Sequence, residues 1–427
     1  MANSKSNKGD QSSDGSKASV SASRRTQKPA KSSRSNRKKS ESSSRQSIAQ
    51  RRKNAVRIVV ATVGVIVPML CIVHGHRSLL QSAQFDIGIV PTKIFAPFEH
   101  HEGVVIVSKI QGLPHWDAVK QSFCLMHYAY NNRPLYDIVL FTSEAIPEDN
   151  IQEVQAMVQP AKFSVVVDNP GLHEMVRAYP PAVQQLTLDR CNATSIEELH
   201  WYSYCKERIF YERLAYNWQA EFRTKHLWHH PALASYKTML WMDSDVFATR
   251  VWKQDPVAIM LQNRLKLFFL NFPAGLIKEK VIPGRIARAF GGRRLCLIDL
   301  YDGHVTSKPY ERGACSKAIL QQVHGFFHIT DLEFYRSQQP WMDILIGDTP
   351  LHREFDDQVA VTIPAVMLAP NQSWFMPDHG VVLDVFHNGA LDGQRHPGFR
   401  GFTRWWSAFG RGNFSEAHGR CPVTNRD

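Results

Sequence analysis

Two carboxylates one residue apart, Asp243 and Asp245, follow directly on an apolar run in "YKTMLWMDSDVFATRVW" (236–252). Like charges at that spacing repel unless a cation or a proton intervenes. A hard divalent cation, Mg²⁺ or Mn²⁺, takes oxygen ligands of this kind and often shares them with a phosphate. A solvated turn is the ordinary alternative. Trp241 and Met242 before the pair and Val246 and Phe247 after it are residues of buried type. They set the pair at the end of a covered strand rather than in a polar loop.

An aspartyl nucleophile of the phosphatase type fits less well. It usually opens the first strand of its domain, with Thr or Val two residues after the second Asp. Here Phe247 holds that position and at least three strand-like runs come earlier.

A cation needs more than two oxygens. "VVLDVFHNG" (381–389) puts Asp384 and His387 beside another apolar run, and His387 is the expected third ligand, ahead of His379 and His396. "VHGFFHITDLEFYRS" (323–337) reads as a strand turning into a helix. It is expected to bring His328, Thr330 and Asp331 near the strand end, where an acceptor could sit; Asp331 also fits a helix N-cap. "EFDDQVAVTIPAV" (354–366) opens a helix with Asp356, Asp357 and Gln358. One acid can cap it and another can face a ligand.

The elements that must position these groups alternate. Strands are expected at 103–110, 136–144, 162–170, 237–242 and 265–272. Helices are expected around 115–130, at 148–158 and along 197–222. Residues 275–320 read as a loop insertion of weak periodicity. Apolar runs alternating with mixed segments predict an α/β fold with a mainly parallel sheet covered on both faces. Ligands of such sheets sit at the carboxyl ends of the strands, which is where Asp243 and Asp245 fall.

The net charge of +12 is misleading as an average. Residues 1–57 hold 16 Lys/Arg and three acidic residues, which is +13, so the remaining 370 residues are close to neutral at −1. A basic nucleic-acid-binding face on the fold is therefore not expected. The Ser-rich basic tail reads as disordered. Ile58 to Val73 follows, 16 residues without a charge and with Pro68 inside. That reads as a short membrane-spanning signal anchor over 58–75, with the basic side held in the cytoplasm. Residues 76–100 then form a stem, and 101–427 a single large luminal domain. Three glycosylation triplets, at Asn192, Asn371 and Asn413, all lie after the span. So do six of the seven cysteines, for which Cys191–Cys205 and Cys296–Cys315 are candidate local pairs.

Two segments carry a resemblance. "HHPALASYKTMLWMDSDV" (229–246) resembles the segment of the yeast Golgi α-1,2-mannosyltransferases in which His-Pro-Leu-Leu leads through aromatics to Glu-Pro-Asp-Val. "HGFFHITDLEFYRS" (324–337) resembles the same family's segment ending in Asp-Leu, an aromatic, Arg and Ser. More loosely, the Asp-x-Asp with Asp255-Pro256 downstream and Asp357-Gln358 late in the domain is similar to plant and algal α-galactosyl, α-xylosyl and α-arabinosyl transferases. The resemblance implies a type II membrane glycosyltransferase with the GT-A fold, Golgi-bound, its catalytic domain in the lumen. It implies a nucleotide-diphospho-sugar donor, GDP-mannose or a UDP-sugar, with Mn²⁺ or Mg²⁺, and a glycan or glycoprotein acceptor. On that reading Asp243 and Asp245 bind the metal and through it the donor, with His387 as third ligand. Gln358 contacts the donor, and Asp357, His328 and Asp331 are the catalytic candidates. The chain departs from the mannosyltransferases at Asp243, where they have Glu, and at His328, where they carry a catalytic carboxylate. A membrane-anchored carbohydrate-binding protein that has lost catalysis on the same fold is the alternative.

Overall fold

The structure, a computed structural model, describes residues 98–207, 210–272, 282–309, 311, 319–346, 351, 357–387 and 420–421. The tail at 1–57, the apolar segment at 58–75 and nearly all of the stem lie outside them. Among the described residues no helix is long and apolar enough to cross a membrane.

In chain order the strands are β1 (Val104–Ile110), β2 (Asp137–Thr142), β3 (Phe163–Val167), β4 (Tyr204–Glu207), β5 (Phe210–Arg213), β6 (Thr238–Met242), β7 (Val246–Ala248), β8 (Leu267–Phe269), β9 (Leu295–Tyr301), β10 (His304–Pro309), β11 (Ile319–Leu320), β12 (Phe327–Asp331), β13 (Ser373–Phe375) and β14 (Val385–His387). The helices are α1 (Trp116–Met126), α2 (Glu148–Val158), α3 (Leu172–Arg177), α4 (Pro181–Cys191), α5 (Leu214–Glu221), α6 (Pro256–Gln262), α7 (Ile282–Ala289), α8 (Leu332–Arg336), α9 (Gln339–Ile346) and α10 (Asp357–Leu368).

Ten strands form one sheet in the order β11-β9-β10-β13-β8-β12-β6-β1-β2-β3. β1 reads "VVIVSKI" and all seven of its residues are buried. A strand covered on both faces takes such a run because alternate side chains enter two separate cores. Val105, Val107, Val139, Phe141, Met239 and Trp241 join one core with Trp218 and Phe222. Ile106, Ile138, Leu140, Leu240 and Met242 join the other with Phe123, Val154 and Trp252. Each large apolar side chain fully buried this way contributes about 1.5–3 kcal/mol.

The half of the sheet from β3 through β2 and β1 to β6 is parallel throughout. The other half is mixed. β12 lies antiparallel to both β6 and β8, and β10 antiparallel to β13 and β9, while β8–β13 and β9–β11 are parallel. The expected mainly parallel sheet thus describes the first half fully and the whole sheet by a small margin.

Two expected elements are corrected. The helix read over 197–222 is a β4–β5 hairpin over 204–213 followed by α5. The Cys191–Cys205 disulfide ties β4 to the end of α4. The loop read over 275–320 contains α7 and the β9–β10 hairpin, which widens the sheet. A second disulfide, Cys124–Cys421, joins α1 to the far end of the chain. Cys296 is also disulfide-bonded, and Cys315 lies outside the described residues.

Candidate metal and donor site

β6 ends at Met242, and the chain turns at once. The Asp243 N–H donates to Phe326 O at 2.8 Å, and the Val246 N–H closes the turn on Asp243 O at 3.0 Å. Both aspartates are thereby set on the carboxyl edge of the parallel half. After the turn, β7 pairs antiparallel with β14 in the register His387↔Val246. That register, and no nearness in sequence, places the imidazole over the two carboxylates.

His387 Nε2 lies 3.4 Å from Asp245 Oδ1 and 3.8 Å from Asp243 Oδ2. One ligand atom from each of the three residues lies within 4.8 Å of the others. Among the described residues no other His, Cys, Asp or Glu cluster meets that geometry. The donor set suits a divalent cation: two hard oxygens and one imidazole, converging from two separate strands. Burial pulls the His387 pKa down, but the Asp245 hydrogen bond and the charges of Asp245 and Asp243 outweigh it and leave it raised.

The second charged group was not apparent in the sequence. Arg223 sits in a π-helical turn, Phe222–His226, that continues α5, a kind of irregularity common at functional sites. Its guanidinium donates to Asp243 Oδ1 at 3.2 Å and to Gly325 O at 2.6 Å, and pairs with Asp357 Oδ2 at 2.6 Å. It also lies over the Trp241 ring, 4.0 Å from the centroid. Trp241 Nε1–H donates to the same Asp243 Oδ1 at 2.9 Å. One oxygen of Asp243 is therefore held by two donors, and Oδ2 is the one turned to His387. The only sign available beforehand was a charged residue inside an aromatic-rich helical run, "NWQAEFRTKH".

Asp357 opens α10, where its charge suits the positive end of a twelve-residue helix. Gln358 follows, and its Oε1 is buried without a hydrogen-bond partner. Gly325 faces both. A Cβ there would stand 2.6 Å from Asp357 Oδ2 and 3.2 Å from Gln358 Cγ. Glycine is what lets the β12 approach run this close to the start of α10.

The structure separates Asp331 and Thr330 from this group. β12 runs antiparallel to β6, so its first residue, Phe327, faces Met242, and its last, Asp331, faces Thr238. Asp331 is therefore four strand residues back from the carboxyl edge, roughly 13 Å at 3.3 Å per residue. There it caps α8 through the Phe334 N–H and pairs with Lys266 at 2.6 Å. The expectation of a strand end near an acceptor assumed the opposite strand direction. His328 is only 2% exposed, and neither ring nitrogen has a partner. Burial, and then the Arg223 charge, push its pKa down to about 3, so the ring is neutral at physiological pH. Thr330 is buried as well, and its hydroxyl reaches only Met239 O at 3.5 Å.

Asp255 caps α6 by accepting from the Val257 and Ala258 N–H groups, which accounts for its Asp-Pro sequence. Asp384 lies 3.8 Å from Arg250. His379 stacks on Trp374, 4.0 Å between centroids, near the start of β10 and away from β6. Asp356 and His396 lie outside the described residues.

No family model matches the sequence, and no curated protein matches it. Solved structures do. The chain is similar to core-mannan synthase A from Aspergillus fumigatus in its Mn/GDP form, at 14% identity over 71% of this chain and 81% of that one, TM-score 0.49. It is similar to the mannosyltransferase Ktr4p from S. cerevisiae in complex with GDP, at 13% identity over 70% and 76%, TM-score 0.48. The galactosyltransferase LgtC, solved with donor and acceptor sugar analogues, follows at 11% identity over 75% and 98%, TM-score 0.33.

Proposed function

We propose that this domain is a divalent-cation-dependent glycosyltransferase that moves a hexosyl or pentosyl group from a nucleotide-diphospho-sugar to a glycan or glycoprotein acceptor. The observation that carries the reading is the convergence of Asp243, Asp245 and His387 at the carboxyl end of β6, with Arg223 and the start of α10 on one side. Asp243 Oδ2, an oxygen of Asp245 and His387 Nε2 would hold the cation. When bound, it neutralises charge growing on the departing nucleoside diphosphate. Arg223 locks Asp243 and Asp357 in fixed positions before any ligand arrives, so the site needs little reorganisation.

In the transfer, the bond from the anomeric carbon to the diphosphate oxygen breaks and a bond to an acceptor hydroxyl oxygen forms. The hydroxyl proton passes to a carboxylate in an inverting reaction, or to the leaving phosphate oxygen in a retaining one. Asp357 and Gln358 are placed to accept and donate hydrogen bonds at the sugar. Gln358 brings an amide oxygen that has no other partner. His328 is neutral and enclosed, which suits a buried support of the site and not a nucleophile. GDP-mannose is the first donor to try, on the resemblance of 229–246 and 324–337.

We place the chain in the Golgi membrane as a single-pass type II protein, with the domain in the lumen. The disulfides at Cys124, Cys191 and Cys296 and the exposed Asn192 and Asn371 of the glycosylation triplets support an oxidising, secretory setting.

The test is release of nucleoside diphosphate by the full chain, supplied with Mn²⁺ and GDP-mannose or UDP-sugars, beside Asp245→Ala and a chelator control. Turnover of one donor is expected, with at least a 100-fold loss in the variant and under chelation. A folded native chain that binds glycans but turns over no donor would replace the transferase with the carbohydrate-binding alternative.

A further inference from the structure

The segment His324–Gly325–Phe326, leading into β12, touches Asp243, Arg223 and His387. Phe326 O accepts the Asp243 N–H, and Gly325 O accepts from Arg223. The Phe326 ring lies flat on the His387 imidazole, 4.6 Å between centroids and 8° between planes. His324 stands edge-on to both rings, 4.7 Å from Phe326 at 66° and 5.5 Å from His387 at 74°. Its backbone N–H donates to Asn271 O at 3.1 Å, which fixes the origin of the side chain. Its Nδ1 is enclosed with no hydrogen-bond partner.

A ring that only filled space against Phe326 would be better served by an apolar residue. Enclosing an imidazole nitrogen without a partner has a cost that phenylalanine or leucine would avoid. Here that nitrogen belongs to a ring packed edge-on to the imidazole of His387, itself 3.4 Å from Asp245 and 3.8 Å from Asp243.

We propose that His324 is a fourth side-chain ligand of the cation held by Asp243, Asp245 and His387. The proposal rests on reading those three as a metal centre. His324 is one ring away from the group whose ligand atoms lie within 4.8 Å of one another. Rotation of its side chain brings it in when the cation arrives. Two imidazoles and two carboxylates make a different ligand set from an aspartate pair with one histidine. Nitrogen donors favour transition-metal cations, whereas Mg²⁺ keeps oxygen ligands and several of its waters. The site should therefore prefer Mn²⁺, Co²⁺ or Zn²⁺ over Mg²⁺ by a wider margin than the aspartates and His387 alone would give.

The experiment uses the full chain and the metal alone, without donor or acceptor. Mn²⁺ affinity, competition by Mg²⁺, and the nitrogen couplings on bound Mn²⁺ seen by pulsed electron paramagnetic resonance are compared for the native chain, His324→Phe, His324→Gln and His387→Phe. The native chain should show two coupled imidazole nitrogens. Each histidine variant should show one, with Mn²⁺ bound about 10–100-fold more weakly and the preference over Mg²⁺ narrowed. His324→Gln keeps a polar side chain of similar reach should the phenylalanine not be accommodated. Native affinity and unchanged couplings in both His324 variants, with loss only in His387→Phe, would overturn the fourth ligand and leave the metal centre standing. Normal Mn²⁺ binding with weaker nucleoside diphosphate binding would move His324 onto the diphosphate and overturn the assignment too. No Mn²⁺ binding by the native chain would remove the metal centre itself.

Discussion

Two charged clusters sit along the same carboxyl edge of the parallel strands, and they are built in opposite ways. In the first, Lys109 near the end of β1 pairs with Asp168 just after β3, both side chains fully enclosed. No side-chain polar atom of this pair lacks a partner. Lys109 also donates to Ser143 Oγ, and Asp168 Oδ1 accepts from Trp218 Nε1 at 2.7 Å and Asn169 Nδ2 at 2.8 Å. In the second, Arg223 joins Asp243 and Asp357, but Gln358 Oε1 and the His328, His324 and His387 rings keep polar atoms without partners. The first cluster is saturated and holds three strand ends together. The second keeps polar groups unspent, as a site awaiting a ligand does.

Stability should divide along that line. Asp168→Ala strands a buried ammonium and should lower the unfolding free energy by roughly 3–5 kcal/mol. The folded fraction should bind Mn²⁺ as before. Arg223→Met should show the reverse pattern. It leaves two carboxylates facing each other, so its stability should depend strongly on added Mn²⁺, which supplies the missing positive charge. Thermal unfolding with and without Mn²⁺ reads both. Equal metal response in the two variants would end the distinction between the clusters.

The second cluster also predicts a pH effect. His328 titrates near its ordinary 6.5 when unfolded and at about 3 when folded. Between those values the unfolded chain binds more protons, so this contribution is complete above pH 6.5 and is lost as the pH falls toward 3. One such group gives a slope of up to about 1.4 kcal/mol per pH unit. Denaturant unfolding of the native chain and His328→Leu between pH 4 and 7 should show the slope in the first and a shallower one in the second. Parallel curves would mean that His328 is protonated in the fold.

The smallest effect belongs to Asp331→Asn. Asparagine caps a helix about as well as aspartate, and the half-exposed Lys266 pair contributes at most about 1 kcal/mol. Donor turnover and Mn²⁺ affinity should stay within twofold of native. A large fall in turnover with the stability intact would return Asp331 to the catalytic group.

The sequence was most legible where local and tertiary preferences agree. "VVIVSKI" and "TMLWM" are strands because nothing else buries such runs on both faces, and 148–158 is a helix as its period predicts. The Asp-x-Asp pair was legible because a charge pair ending a buried run needs a reason. Strand direction was not legible. The segment 327–331 reads the same whichever way it pairs, and the antiparallel choice moves Asp331 from the site to the opposite edge. Arg223 was hidden for a related reason. What singles it out is Asp243 at one end of its guanidinium and Asp357 at the other, and those three residues meet only in the fold.

The pairing of β14 with β7 has a consequence in time. The two aspartates leave the ribosome some 140 residues before His387, so on the metal-centre reading the nascent chain carries an incomplete cation site for much of its synthesis. Only when β14 has found its register does the imidazole close over the carboxylates. On that reading, cation binding reports that β14 has been laid down against β7. It stabilises finished molecules in preference to truncated ones, which hold the aspartates but not the third ligand.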